Sequence, residues 1–130
     1  MVCLDTSFLI DFLRGDPAAE KKAEYYLDRD EFLTTTPITA AELFQGAYSS
    51  RKKTEPERVR NLLEHLELLE LSLDVCEGYG RIFNMLAVKG TPIGDLDTLI
   101  ASTALTNRQI LVTKNKAHFE KIPGLVVESY

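Results

Sequence analysis

Four carboxylates stand where an apolar run gives way to a helical pattern: Asp5, Glu42, Asp95 and Asp97. Asp5 ends the run Val2-Cys3-Leu4 and is followed by Thr6-Ser7 and a second apolar run, Phe8-Leu9-Ile10. A carboxylate at the end of a short buried strand lies where open α/β sheets place their ligand crevice. Asp is also a favoured helix N-cap, so position alone leaves both readings open for Asp5.

Glu42 has an equally complete structural explanation. Thr39 and Glu42 have capping-box spacing, and Ile38 with Leu43 has that of a hydrophobic staple, which would put Glu42 in the first turn of a helix. In Gly94-Asp95-Leu96-Asp97 the two acids are two residues apart, and such residues point about 200° apart on a helix. Both can reach one site only if Asp95 lies outside the helix as its cap; acids in a first turn also complement the helix dipole.

Capping does not require Asp5, Glu42 and Asp97 to fall together on the carboxyl edge of one parallel sheet. Three carboxylates gathered there would repel one another unless cations lay between them. Ligands that are all oxygen suit Mg²⁺ or Mn²⁺, whereas a zinc site would show His or Cys. Neither His65 nor His118 has metal-ligand spacing to a second His or Cys.

The elements that must position these acids follow from periodicity and punctuation. Residues 2–5 read as a buried strand, and Thr6 to Arg14 as a helix closed by Gly15. Asp16 caps a second helix with Pro17 at its first position, running to Leu27. Phe32 to Thr36 reads as a strand and Thr39 to Ala47 as a helix. Thr54-Glu55-Pro56-Glu57 predicts a capping box opening a helix with Val59, Leu62, Leu63 and Leu66 on one face. Leu68 to Leu73 is a third strand whose Leu and Glu content also admits a helix.

A helix from Asp74 to Val88 ends in the turn Lys89-Gly90-Thr91-Pro92, and the next helix, with Leu96, Leu99, Ile100 and Thr103 as its face, ends near Asn107. Ile110 to Thr113 is a strand, Asn115 to Lys121 a short helix, and Leu125 to Val127 a terminal strand. This alternation predicts a single α/β domain over 1–130, a three-layer α/β/α arrangement around a mostly parallel sheet of about five strands.

Composition agrees and narrows the function. The chain is 45% hydrophobic over 130 residues, enough for one core without staples. Cys3 on a strand and Cys76 on a helix predict no disulfide, hence a reducing cytoplasmic setting, and no run is long enough to span a membrane. Fifteen basic against 20 acidic residues, a net charge of −5, exclude a protein that coats nucleic acid through charge alone. They leave room for an enzyme that engages a polyanion through local patches.

The segments Leu4-Asp5-Thr6-Ser7-Phe8-Leu9-Ile10-Asp11, Thr39-Ala40-Ala41-Glu42-Leu43, Ile93-Gly94-Asp95-Leu96-Asp97-Thr98-Leu99-Ile100-Ala101 and Leu111-Val112-Thr113-Lys114-Asn115 together resemble the PIN-domain ribonucleases. The nearest group is the VapC-type toxins of prokaryotic toxin–antitoxin pairs. The likeness spans the whole chain. It implies a Mg²⁺-dependent endoribonuclease with Asp5, Glu42 and Asp97 at the acidic metal-site positions, Asn115 at a fourth position held by Asp or Asn, and Ser7 and Thr113 as supporting polar groups. Asp95 is an extra acid, read as a secondary metal ligand or a cap. Many relatives carry an acid where this chain has His118.

The resemblance further implies an RNA substrate, a cognate antitoxin and a homodimer. Bound Mg²⁺, or Mn²⁺, would activate water for in-line attack on a phosphodiester and offset the charge that develops. Lys114 and Lys116 flank the site and are candidate RNA contacts, as are Arg51, Lys52 and Lys53, with Arg58 and Arg60 beyond them; a solvated face explains the second group as well. Tyr25, Tyr26 and Leu27 are either core or a partner surface. The alternatives are a PIN scaffold that has lost catalysis and binds protein or RNA, to which His118 lends weight, and an aspartyl-phosphate phosphotransferase. The latter needs an acid where this chain has Ser7.

Overall fold

The structure is a computed structural model describing residues 1–130. The chain runs β1 (Val2–Leu4), α1 (Thr6–Leu13), α2 (Pro17–Asp28), β2 (Leu33–Thr35), α3 (Pro37–Ser49), α4 (Glu55–Glu64), β3 (Glu67–Leu68), α5 (Leu73–Val88), α6 (Asp95–Thr106), β4 (Ile110–Val112), α7 (Lys116–Phe119) and β5 (Val127–Glu128). All five strands are parallel, in the order β3-β2-β1-β4-β5. β1 is central, pairing Cys3 with Thr34 on one side and with Leu111 on the other.

That central place explains why β1 is an uninterrupted apolar run. Its three residues are no more than 3% exposed, because helices cover both faces of the sheet. Val2 and Leu4 join Phe8, Leu9, Tyr26, Leu43 and Val59 on one face, while Cys3 and Leu111 join Ile82, Leu86, Ile100 and Phe119 on the other. The alternation of side chains along a strand divides the two cores. Burial pushes the Cys3 thiol up to about 12, which leaves it an inert core group, and both cysteines are free.

The strand order creates the site. From β1 the chain builds outward through β2 and β3, then crosses back to add β4 and β5 on the other side. The seam between β1 and β4 is therefore the topological switch point, where the connections leave in opposite directions and open a crevice at the carboxyl ends. Asp5 and Thr113 immediately follow the two seam strands, and the Asp5 amide donates to the Val112 carbonyl at 3.1 Å.

Several local expectations are corrected. α3 starts at Pro37 with Thr36 as its cap, the Thr36 hydroxyl accepting from the Thr39 amide at 3.0 Å. Pro37, whose fixed φ suits the first helical position, sets that start two residues ahead of the Thr39–Glu42 box, so Glu42 lies in the second turn. Thr54 has helical backbone angles and makes no capping bond, so its box does not form either. The third strand is only Glu67–Leu68, because Ser72 caps α5 and draws Leu73 into the helix. On α6 the buried stripe is Thr98 and Ile100 to Ala104, while Leu96 is exposed. Tyr26 is core, its hydroxyl donating to Glu128, whereas Tyr25 and Leu27 face solvent.

α6, which carries Asp97, is held against α5 at a point of close approach. A methyl group built on Gly78 would meet Ser102 Oγ at 2.5 Å, and that hydroxyl already donates to the Val75 carbonyl at 2.7 Å. Gly78→Ala is therefore expected to destabilise the protein by about 1–3 kcal/mol. Urea unfolding should show a lower midpoint with an unchanged slope; a midpoint at or above that of the parent would contradict this packing.

Candidate active site

Asp5 is the deepest of the acids, 4% exposed. It caps α1, its Oδ1 accepting from the Phe8 amide at 2.9 Å and from the Ser7 hydroxyl at 2.7 Å. The cap and the site reading of Asp5 are thus one geometry. Ser7 Oγ also lies 3.3 Å from Thr113 Oγ1 and accepts from the Lys114 amide at 3.1 Å, joining the two seam strands below the carboxylate. Thr113 Oγ1 in turn accepts from the Asn115 amide at 3.0 Å.

Burial raises the Asp5 carboxyl above its ordinary 3.8. Hydrogen bonds from Thr113, the Phe8 amide and Ser7 pull it back, and the charge of Asp97 pushes it up further. The groups that favour its charged form are all neutral donors. The nearby basic groups are engaged elsewhere, Lys114 with Asp11 at 3.4 Å and His118 with Asp97 at 3.0 Å.

Glu42 is half-buried and reaches the site from α3, where Thr6 Oγ1 lies 2.7 Å from its Oε1 and 3.1 Å from Thr39 Oγ1. With one proton to give, the Thr6 hydroxyl gives it to the carboxylate. Thr6 is a contact of Glu42 that the sequence reading missed, although it adjoins Asp5. Asp97 is the third residue of α6 and contacts His118 on α7, a pairing that sequence spacing did not reveal.

Asp95 departs from the expected arrangement. Gly94, at φ +95°, is the cap of α6, so Asp95 is itself helical and points away from Asp97. It is exposed, and its Oδ1 lies 3.4 Å from the Tyr79 hydroxyl on α5. Asn115 caps α7 without a side-chain capping bond and is exposed at the mouth of the seam.

Lys114 and Lys116 follow β4 and are exposed; Lys116 pairs with Glu120 at 3.7 Å. Arg51, Lys52 and Lys53 lie in the exposed loop between α3 and α4. One of them, Lys52, lines a cleft of about 490 Å³ together with Glu42, Arg14 and Arg58 over an apolar floor that includes Leu43 and Val59.

No three Asp, Glu, His or Cys side chains converge closely enough to enclose an ion. The donors are oxygens, one of them a buried carboxylate facing a second acid without a cationic partner, and they fit a cation that keeps several of its waters. Geometry of this kind suits positioning and charge stabilisation around a phosphate, with neither a Ser-His pair nor a reactive thiol in the site.

The fold is that of a PIN domain. The PIN domain family model matches residues 2–125, and the chain belongs to that family. Among its relatives is a protein named Ribonuclease VapC2 from Rickettsia felis, 30% identical over 128 residues, covering 98% of this chain and 96% of the relative. Another is the tRNA(fMet)-specific endonuclease VapC of Salmonella typhimurium, 33% identical, with coverage of 98% and 96%. The crystal structure of VapBC2 from Rickettsia felis bound to a DNA fragment from their promoter superposes with a TM-score of 0.90 at 29% identity, covering 100% of this chain and 99% of that one.

The raised Asp5 carboxyl makes a stability prediction. Its folded pKa lies above the unfolded value, so the folded state binds more protons between the two; this contribution to stability is full below 3.8 and is lost as pH rises through the folded value. Asp5→Asn keeps an oxygen that can cap α1 and removes the buried charge. In chelator, the variant should unfold at higher urea than the parent at pH 7, and the gap should close as the pH is lowered to about 3.8. Equal or lower stability at pH 7 would mean that burial does not penalise this carboxylate.

Proposed function

We propose that the chain, acting as one domain over 1–130, is a divalent-metal-dependent endoribonuclease and the toxin of a type II toxin–antitoxin pair. Its substrate is RNA, its partners a cognate antitoxin and a second copy of itself, and its compartment the cytoplasm. The observation that carries the reading is the buried Asp5 carboxylate at the sheet's switch point, facing the charge of Asp97 and held only by neutral donors. The names of the relatives, ribonuclease and tRNA-specific endonuclease, support the substrate class. No helix is long and apolar enough to cross a membrane.

Asp5 and Asp97 would hold Mg²⁺ or Mn²⁺, with Glu42 reaching the site through α3. When bound, the ion supplies an activated water and offsets charge developing on the phosphate. The chain's own groups do the positioning. Ser7 and Thr113 fix Asp5, Thr6 turns Glu42, and Asn115 offers an uncharged amide at the mouth for water or a phosphate oxygen. Lys52 and Lys116, with Lys114, Arg51 and Lys53, supply the local positive field that the net charge lacks.

Asp5→Asn and Asp97→Asn are each expected to lower RNA cleavage by about a hundredfold or more while leaving the fold intact. Initiator tRNA, named for the Salmonella relative, is the first substrate to try. Cleavage by both variants at the parent's rate would sink the assignment; a parent that binds RNA and never cleaves it would favour the scaffold reading instead.

Metal binding gives a second measurement. A ligand held by the folded state alone raises stability in proportion to the logarithm of its concentration. Millimolar Mn²⁺ should therefore raise the melting temperature of the parent and leave that of Asp5→Asn nearly unmoved. An equal rise in both would place the ion elsewhere on the protein.

A further inference from the structure

His118 stands where the resemblance would put an acid, and its contacts give it a different task. Its Nε2 lies 3.0 Å from Asp97 Oδ2 and 3.1 Å from the Ile93 carbonyl oxygen. A backbone carbonyl only accepts, and so does an ionised carboxylate. A ring nitrogen set between two acceptors must carry the proton, so the neutral side chain is the Nε2–H tautomer with its lone pair on Nδ1. Nε2 is therefore a donor here and has no lone pair to offer a metal.

We infer that His118 is a positioning residue for Asp97: its Nε2–H, shared between the Asp97 carboxylate and the Ile93 carbonyl, fixes how Asp97 presents its other oxygen to the site. This rests on the proposed metal-dependent nuclease. Ile93 is 6% exposed and directly precedes Gly94, so the same imidazole grips both the acid and the segment that launches its helix. The grip has a firm base. The next residue, Phe119, is 1% exposed in the core, and its ring meets the imidazole edge-on at 5.5 Å.

An acid at 118 could not play this part. Ionised, it would repel Asp97 and offer no proton to the Ile93 carbonyl. The substitution of a donor for an acid thus exchanges one more negative charge at the site for a fixed orientation of the charge already there. An outer partner that orients a metal-binding carboxylate commonly contributes 10–100-fold in metal affinity or activity.

The test compares the parent with His118→Ala, His118→Gln and Asp97→Asn, using calorimetry of Mn²⁺ binding and steady-state cleavage of RNA. His118→Ala should bind Mn²⁺ about 10–100-fold more weakly. Its kcat should fall with little change in KM, since the imidazole touches the acid and not the RNA. His118→Gln, whose side-chain amide restores a donor, should recover most of both losses. Mn²⁺ binding by His118→Ala at the parent's affinity overturns the inference, and so does His118→Gln as weak as His118→Ala. If instead the parent fails to bind Mn²⁺, or Asp97→Asn binds it as the parent does, the metal-nuclease reading itself fails and carries this inference with it.

Discussion

A carboxylate buried between the two central strands is the constraint on which the site depends. Burying an ionised group costs stability unless it is paired, and Asp5 is met by neutral donors and a neighbouring acid rather than a cation. The fold tolerates this because β1 is packed on both faces, with Val2, Cys3 and Leu4 almost wholly buried in two cores. Apolar burial of that extent contributes far more than one penalised charge removes. The donors that remain also restrict the carboxylate to one orientation, so the local cost and the local precision have the same origin.

Around that point the architecture separates the tasks of holding and reaching. The hydroxyls of Ser7 and Thr113 tie the ends of β1 and β4 together under Asp5. Thr6, on the same turn, faces the other way and fixes Glu42 from α3. Consecutive residues of one helix start thus serve two walls of the site. Because α3 is capped by Thr36 rather than Thr39, Glu42 is released from any capping duty, and its contact with Thr6 is its local constraint.

How much of this the sequence disclosed depends on the range of the interaction. The central strand was legible because a strand covered on both faces must be apolar throughout, as Val2-Cys3-Leu4 is. Asp16-Pro17 was legible because a cap and a proline act within one turn. Thr39-x-x-Glu42 misled because capping-box spacing is a local pattern that a neighbouring Thr36-Pro37 satisfies better, through a proline already set to helical φ. Leu96 misled for a different reason. α6 packs against both the sheet and α5, so its buried side is mostly small residues around Ile100, namely Thr98, Ala101, Ser102, Thr103 and Ala104, and Leu96 in its first turn falls outside. The partners of Asp97 and Glu42 lie 21 and 36 residues away in the chain, a separation at which spacing carries no signal.

The net charge of −5 and the proposed RNA substrate are reconciled by where the charges sit. Three acids that count toward that total, Asp5, Glu42 and Asp97, belong to the proposed site, where a cation would offset them. Of the lysines after β4, Lys114 is partly spent on Asp11, which the Tyr130 hydroxyl, first, and Lys114 itself hold in its ionised form. Lys52 and Arg14, by contrast, line the cleft that Glu42 also lines, where Arg58 is paired with Glu55 at 2.8 Å. A phosphate backbone entering that cleft would meet Lys52 and Arg14 over an apolar floor that lowers the local screening. A chain of net negative charge that attracts a polyanion only through local basic patches favours release of a cut strand over retention along its length.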